Sequence, residues 1–383
     1  MGEAGHMTPG HGPIAVVGAG SVGSVTAWWL ARCGARVVWI APHQDLGPER
    51  PGSLAALGVL MGYCSRRLRG RSWRLRRASI ALWHQWLPLL GPIPRQWGLT
   101  VLCHQPDDGE GLRTLVRQRQ GEGFPLAWRT REDLLTRWPA LAATDLQGGL
   151  WSPQDGQLDP APLLTALAEG AEHLGVQRWS AQVTGLTPDG RDWRLRLQTS
   201  DPGLPTTLPA SAVVLCTGLG TGRLLAAPDS PVQLNWPMTS VLGQAAALHC
   251  PMLPPPGLPG PVIWRGVHLI PRPQHQQLWI GATVEPGDQS WAHYLDRMLQ
   301  LDGAAPPWLR QARVLRRWQG VRARPVGRPA PLLAILAPGL LLTSGHYRNG
   351  ILLAPATAAW TACQLGFPLP DGLTELPGDG SGS

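Results

Sequence analysis

The sequence predicts an α/β fold organised around a Rossmann-type βαβ unit, and three observations carry that prediction. Ile14 to Val17 is an apolar run of the length of a short buried strand. It leads into Gly18, Gly20 and Gly23, which fit G-x-G-x-x-G where the pattern has structural meaning, after a strand and opening a helix. An apolar helix-like run continues to about Cys33, Gly34 stops it, and Arg36 to Ile40 supplies a second strand. A chain of 383 residues has room for two domains or one large discontinuous one.

In such a unit Gly18 permits the tight turn, Gly20 lets a pyrophosphate approach the backbone, and Gly23 lets helix and strand pack closely. The free N–H groups at the helix start then face the phosphates. A glycine-rich turn without a ligand is the competing reading. The carboxylate that usually ends the second strand and holds the ribose is missing. Ala41 and Pro42 stand there, with Asp45 and Glu49 behind and out of register. The motif therefore does not choose between NAD, NADP and FAD.

Gly52 to Gly62 is rich in small residues, which suits a close backbone approach or a simple loop packed on the first helix. Arg66 to Arg77 holds seven arginines in twelve positions and leads into a helix-like segment, Ser79 to Leu90. Three readings stay open for the run: a solvated helix face with buried stems, a nucleic-acid or phosphate patch, and a funnel for a small acidic substrate. Gly98 to Cys103 reads as a strand, and Glu110 to about Gly121 and Arg131 to Leu141 as helices. Asp159 followed by Pro160 reads as an N-cap with Pro at the first helical position, opening a helix from about Ala161 to Leu174. Val183 to Thr187, Trp193 to Gln198 and Ala212 to Thr217 read as strands, the last delivering the chain to Gly218 and Gly220. Val262 to Ile270 and Gln277 to Ala282 alternate as sheet strands. Helical character returns from Ser290 to Leu301 and again before Trp318. Leu340 to Thr343 is strand-like, and a helix follows to about Leu365. No internal repeat is visible.

Composition excludes some chemistry. The chain has no lysine, so all 33 basic residues are arginine, and a Schiff-base enzyme, a pyridoxal-phosphate anchor and a P-loop lysine are ruled out. With 19 Trp beside three Tyr and two Phe, the pattern reflects a general compositional bias, which weakens any inference from the net charge of +8. Cysteines 33, 64, 103, 216, 250 and 363 show no C-x-x-C and no metal spacing, as expected of free thiols in a reducing cytoplasm. No signal-peptide core and no apolar run of membrane-spanning length is present. The start, to about Gly12, and the end, Leu376 to Ser383, read as disordered tails.

G-H-Y-R-N-G-I-L-L-A-P, Gly345 to Pro355, resembles the closing motif of the FAD-dependent D-amino-acid oxidase superfamily, and most that of its glycine oxidase branch of thiazole synthesis. Other pieces resemble that family's motifs in the same order: V-V-G-A-G-S-V-G-S, Gly52 to Val59, D-G-Q-L-D-P (Asp155 to Pro160), V-V-L-C-T-G, H-L-I-P-R-P (His268 to Pro273), I-G-A-T-V-E-P-G-D (Ile280 to Asp288) and W-Q-G-V-R-A-R-P (Trp318 to Pro325). The resemblance covers about Ile14 to Leu365.

The resemblance implies a discontinuous Rossmann-type FAD-binding domain and a second, antiparallel-sheet substrate domain. The FAD-binding parts would be 13–90, 151–225 and 318–366, the substrate parts 91–150 and 226–317, and the tails 1–12 and 367–383. It implies that Gly18, Gly20 and Gly23 form the cofactor-binding turn, that Ser21 and Val22 sit under the pyrophosphate, and that Ala41 and Pro42 lie beside the ribose. Gly52, Ser53, Leu57, Gly58 and Val59 would line the flavin, Val183 would meet the adenine, and Thr217 and Gly218 would form a second close turn. Gly345, His346, Tyr347, Arg348, Asn349, Gly350, Ile351 and Leu352 would wrap the isoalloxazine edge. Helix amides opening at Gly350 would stabilise negative charge on the pyrimidine end. Arg322 and Arg348 correspond to substrate-binding arginines, whose forked guanidinium suits a carboxylate. His268 stands where glycine oxidases carry a Tyr. It is either a hydrogen-bonding partner of the substrate or a half-exposed strand residue.

The expected activity is oxidation of a small amino acid or secondary amine (glycine, sarcosine or a small D-amino acid) by hydride transfer to flavin N5. Imine hydrolysis would follow, with dioxygen as electron acceptor and peroxide as product. A flavin domain of tRNA modification and a flavin-binding protein without turnover are the alternatives. No metal and no membrane partner is expected, nucleic acid is disfavoured, and a homo-oligomer is allowed.

Overall fold

The computed structural model describes residues 12–42, 52–143, 145–226, 230–232, 236–275, 277–374 and 376. Asp45, Glu49, residues 1–11 of the first candidate tail and 375 and 377–383 of the second lie outside the described residues.

A six-stranded sheet carries the front of the molecule, in the order Leu332–Ala337, Leu340–Ser344, Ala212–Leu215, Ile14–Val17, Val37–Ala41, Gln177–Ser180. Its strands run parallel except the antiparallel edge strand Leu332–Ala337. The period-2 alternation of the first strand sorts its two faces. Ile14 and Val16 join the core under the helices. Ala15 and Val17 join the opposite core, under a three-stranded antiparallel sheet formed by Gln182–Asp189, Asp192–Gln198 and Thr207–Ala210. Both faces are covered, which explains why these short strands read as unbroken apolar runs.

The opening helix Ser21–Arg32 and the closing helix Gly350–Gln364 pack side by side on the helical face with the arginine-rich helix Arg71–Trp86. Trp83 fastens the last two by donating its indole N–H to the carbonyl of Ile351 at 3.1 Å. The arginine-rich helix starts at Arg71, inside the charge run and eight residues before the helix expected from Ser79. Trp73, Ile80 and Trp83 recur at helical spacing on its buried side.

A ten-stranded mixed sheet forms the second layer. Its long strand Met238–His249 pairs antiparallel with Arg313–Pro325 along almost its whole length. The expected domain limit at 317/318 falls inside Arg313–Pro325, and the limit at 150/151 falls inside the strand Gly148–Leu158. Periodicity alone did not reveal these long strands, because glycines and arginines interrupt their apolar pattern. Asp159 does occupy the N-cap position before Pro160, but its carboxylate does not cap the helix. It pairs instead with Arg272 of the mixed sheet.

One loop couples the two layers. Asp155, fully buried on Gly148–Leu158, accepts from the backbone N–H groups of Gly62 at 2.8 Å, Tyr63 at 3.0 Å and Cys64 at 2.7 Å. Arg119, also fully buried, donates to the carbonyls of Tyr63 and Arg67 and to Glu122, and its guanidinium lies over the Trp73 ring at 3.3 Å. Two buried charges thus clamp residues 62 to 67, each supplied with the hydrogen bonds its burial requires. Replacing Asp155 with Ala orphans three backbone donors. The expected outcome is a loss of about 3 kcal/mol of unfolding free energy, read from the denaturant midpoint.

Candidate functional site

A cavity of about 1260 Å³ opens at the carboxyl ends of the parallel strands, where ligands lodge in such sheets. Val17, Ile40, Cys216 and Ser344 mark the strand ends along its floor. A cavity above the usual small-molecule range of roughly 300–1,000 Å³ suits an extended ligand with a second molecule beside it.

The structure gathers nearly all the sequence-expected residues around this one space. Gly18, Gly20, Ser21, Val22, Ala41 and Pro42 line one end, with Val183, Thr217 and Gly218 also on the wall. Gly52, Ser53, Leu57, Gly58 and Val59 line it from the loop before the clamped segment. Gly345 through Leu352, Arg348 among them, line it from the start of the closing helix, and His268 and Arg322 from the mixed-sheet side. Gly23 is the exception. A Cβ there would stand 1.9 Å from the Gly18 carbonyl oxygen and 3.3 Å from Cys216 Cβ, so its role is close packing of helix on turn, not contact with the cavity.

Two helix ends converge here. The opening helix begins at Ser21, after Gly20, which offers no side-chain cap. Ser53 reaches across to accept from the Ser21 N–H at 2.9 Å. The closing helix begins at Gly350, and its N-cap residue Asn349 makes no side-chain cap bond either. Neither first turn contains an acidic residue. A Cβ at Gly350 would lie 3.4 Å from Ser21 Oγ, so the front and the back of the chain meet edge to edge. First-turn amides of both helices lack intrahelical acceptors and carry positive partial charge. Six arginines (66, 67, 76, 223, 322 and 348) also line the cavity, and no Asp or Glu is among the described lining residues. This donor set fits an anionic dinucleotide and a carboxylate.

Arg322 sits on the strand Arg313–Pro325 and donates from Nη1 to the carbonyls of Leu242 at 3.0 Å and Thr283 at 3.1 Å. Its guanidinium lies over Gly243, where an added Cβ would fall 2.0 Å from Nη2. Sequence reading missed Gly243. No local pattern in the sequence marks it; in the fold it pairs with Gly320 across the sheet, two glycines opposite one another in strands that otherwise carry side chains. Burial and the neighbouring Arg348 lower the Arg322 pKa to about 10, so it stays charged at neutral pH. The loop carrying Arg348 is drawn to the same strand. Tyr347 adopts φ 54°, and its N–H donates to the carbonyl of Ala323 at 3.1 Å. Among the described residues, neither Arg322 nor Arg348 has a carboxylate within ion-pair distance.

His268 is half-buried on the strand Val267–Arg272. Burial, then Arg348 and Arg322, push its imidazole down to about 3, so it is neutral at physiological pH. His346 is buried, shares a 2.9 Å hydrogen bond with Thr357 Oγ1, and is also pushed down to about 3, chiefly by burial and secondarily by Arg71.

The arginine run divides in a way its sequence reading as one unit did not capture. Arg66, Arg67, Arg69 and Arg77 are exposed, and Arg66 pairs with Asp108. Arg76 instead falls on the buried stripe of Trp73, Ile80 and Trp83 and turns to the cavity.

A model of the FAD dependent oxidoreductase family matches residues 13–364. The bifunctional protein ThiO/ThiG of Nostoc sp. is 28% identical over 364 residues, covering 91% of this chain and 52% of that protein, so the chain spans about half the length of this relative. The glycine oxidase of Geobacillus kaustophilus is 29% identical over 273 residues, covering 69% of this chain and 68% of that enzyme. The crystal structure of glycine oxidase from the same organism superposes with a TM-score of 0.78 at 27% identity, covering 92% of this chain and 94% of that one.

A histidine with a depressed folded pKa binds its proton later than the unfolded chain does. Its contribution to stability is present above about 6.5 and is lost as pH falls toward about 3. The melting temperature is therefore expected to fall from pH 7 to pH 4. His346→Gln, which keeps a partner for Thr357, should flatten that acid limb in thermal scans across the same range.

Proposed function

The chain belongs to the FAD dependent oxidoreductase family, and from that premise we propose that it oxidises a small amino acid or secondary amine of the glycine, sarcosine or D-amino-acid type. One observation supports this above the others. Arg322, Arg348 and His268 line the same cavity as the glycine turn and the start of the closing helix.

In this reading the amides following Gly20 at the N-terminus of the opening helix would hold the pyrophosphate of FAD. The amides following Asn349 would face its isoalloxazine. Bound FAD supplies a two-electron acceptor for the hydride leaving the substrate α-carbon. Arg322 and Arg348 fix the substrate carboxylate, and Arg322 is aimed because the carbonyls of Leu242 and Thr283 hold Nη1. Two guanidinium groups, with no carboxylate among the described lining residues, disfavour the ammonium form of the substrate. The reactive neutral amine is thus the form these residues select. Neutral His268 offers that amine a hydrogen bond without adding a third positive charge. No side chain need act as a base of fixed pKa, because orientation and the proton state of the amine are set by the cationic wall.

The overall reaction is amino acid, dioxygen and water giving oxo acid, hydrogen peroxide and ammonia, or the alkylamine in place of ammonia when the substrate is a secondary amine. Water hydrolyses the imine, and dioxygen is the proposed final acceptor. The test is anaerobic mixing of the purified yellow protein with glycine, sarcosine and small D-amino acids. Bleaching of the flavin band is the expected result, and its absence with the whole panel overturns the reading. Arg322→Met is expected to reduce kcat/KM by about 100-fold, as loss of a buried partner of a carboxylate does. Gly243→Ala leaves the charge in place but displaces the guanidinium, and should raise KM by about tenfold with flavin content unchanged.

A further inference from the structure

Arg76 has an unusual set of partners. Its Nη1 donates to the carbonyl of Met61 at 2.6 Å and its Nη2 to Asn349 Oδ1 at 3.1 Å. Its Nε is buried without a hydrogen-bond partner. No carboxylate among the described residues pairs with it, and the nearby Asp155 is already engaged by three backbone N–H groups. One N–H of each terminal nitrogen is committed to the protein and Nε is buried, so the guanidinium is held in place and its Nε edge is closed to a forked grip on a substrate carboxylate. It serves better as a fixed charge.

Its partner explains what that charge does. Asn349 is the N-cap residue of the closing helix, and Asn in that position normally accepts from the second or third helical N–H. Here it makes no cap bond, and its Oδ1 accepts from Arg76 instead. The amides of Ile351 and Leu352 therefore keep no side-chain acceptor, and both residues line the cavity with Arg76.

We propose that Arg76 is a positioning residue for the flavin: it draws the Asn349 carboxamide off the closing helix and adds a fixed positive charge beside the amides it uncovers. Negative charge on the pyrimidine end of the reduced ring is then stabilised by helix end and guanidinium together. This rests on the flavin orientation proposed above.

The experiment measures the midpoint potential of the bound flavin by anaerobic equilibration with a reference dye, in wild type, Arg76→Met, Arg76→Gln and Arg76→Lys. FAD content is determined first. A wild-type protein that binds no FAD overturns the proposed cofactor site itself, before Arg76 is tested. With FAD bound, the neutral variants are expected to lower the two-electron reduction constant about tenfold, which for this couple is about 30 mV. Arg76→Lys is expected to recover most of that difference. Arg76→Gln keeps the inference testable if Arg76→Met does not fold or load flavin. Neutral variants within twofold of wild type, or a lysine variant as low as they are, overturn the inference while leaving the cofactor site standing.

Discussion

The contact between the starts of two helices governs this molecule. Ser21 opens one, Gly350 opens the other, and they stand close enough that a methyl on Gly350 would touch Ser21 Oγ. Two positive dipole ends side by side repel each other, and neither helix softens the repulsion with an acidic first turn. Arginines along the same wall add to it. An arrangement that costs free energy in isolation is stabilised by an anion that binds the folded state only, so cofactor binding and folding are thermodynamically linked. In the proposed reading, the same electrostatics that would hold a pyrophosphate would favour a carboxylate substrate and a neutral amine. Cofactor affinity, substrate class and protonation state would then be three consequences of one placement of charge.

What keeps the helix ends together is packing well away from the ligand. Gly23 removes the side chain that would push the opening helix off its turn, and Trp83 ties the arginine-rich helix to the closing one. The clamped loop between Gly62 and Arg67 adds a tertiary brace, since Asp155 and Arg119 reach it from different elements. Burying those two charges is tolerable because each has several hydrogen-bond partners. The clamp also fixes Met61, whose carbonyl receives Arg76.

Much of this was legible in the sequence because local chemistry dictates it. A strand, a G-x-G-x-x-G turn and a helix can be read from neighbours a few residues apart, and the residues from Gly345 to Leu352 lie together by continuity. Pairings between distant segments were harder to see. Gly243 matters only because Arg322 lies across it, and the two are 79 positions apart, which no periodicity reports. Strand limits inside Gly148–Leu158 and Arg313–Pro325 were hidden for a related reason, since cross-strand pairing sustains those strands through glycine and arginine positions of low intrinsic strand preference.

Arg76 shows how a residue can be visible without its role being legible. Its place in a dense run of arginines left a solvated face, a phosphate patch and an anion funnel open together, and its register against Trp73, Ile80 and Trp83 puts it on the inward stripe. Packing sets that register, because the helix buries Trp73 against Tyr63 and Phe124, Trp83 against the closing helix and Trp86 against Trp28 and Trp29. Turned inward, the guanidinium needed acceptors, and the nearest were a loop carbonyl and the carboxamide of an N-cap residue. Taking that carboxamide leaves a helix end without its own cap, a local loss of about 1 kcal/mol by the usual worth of such a cap. A fold that accepts this loss beside a large anion-fitting cavity has exchanged local helix stability for donors directed at a ligand, as functional sites commonly do.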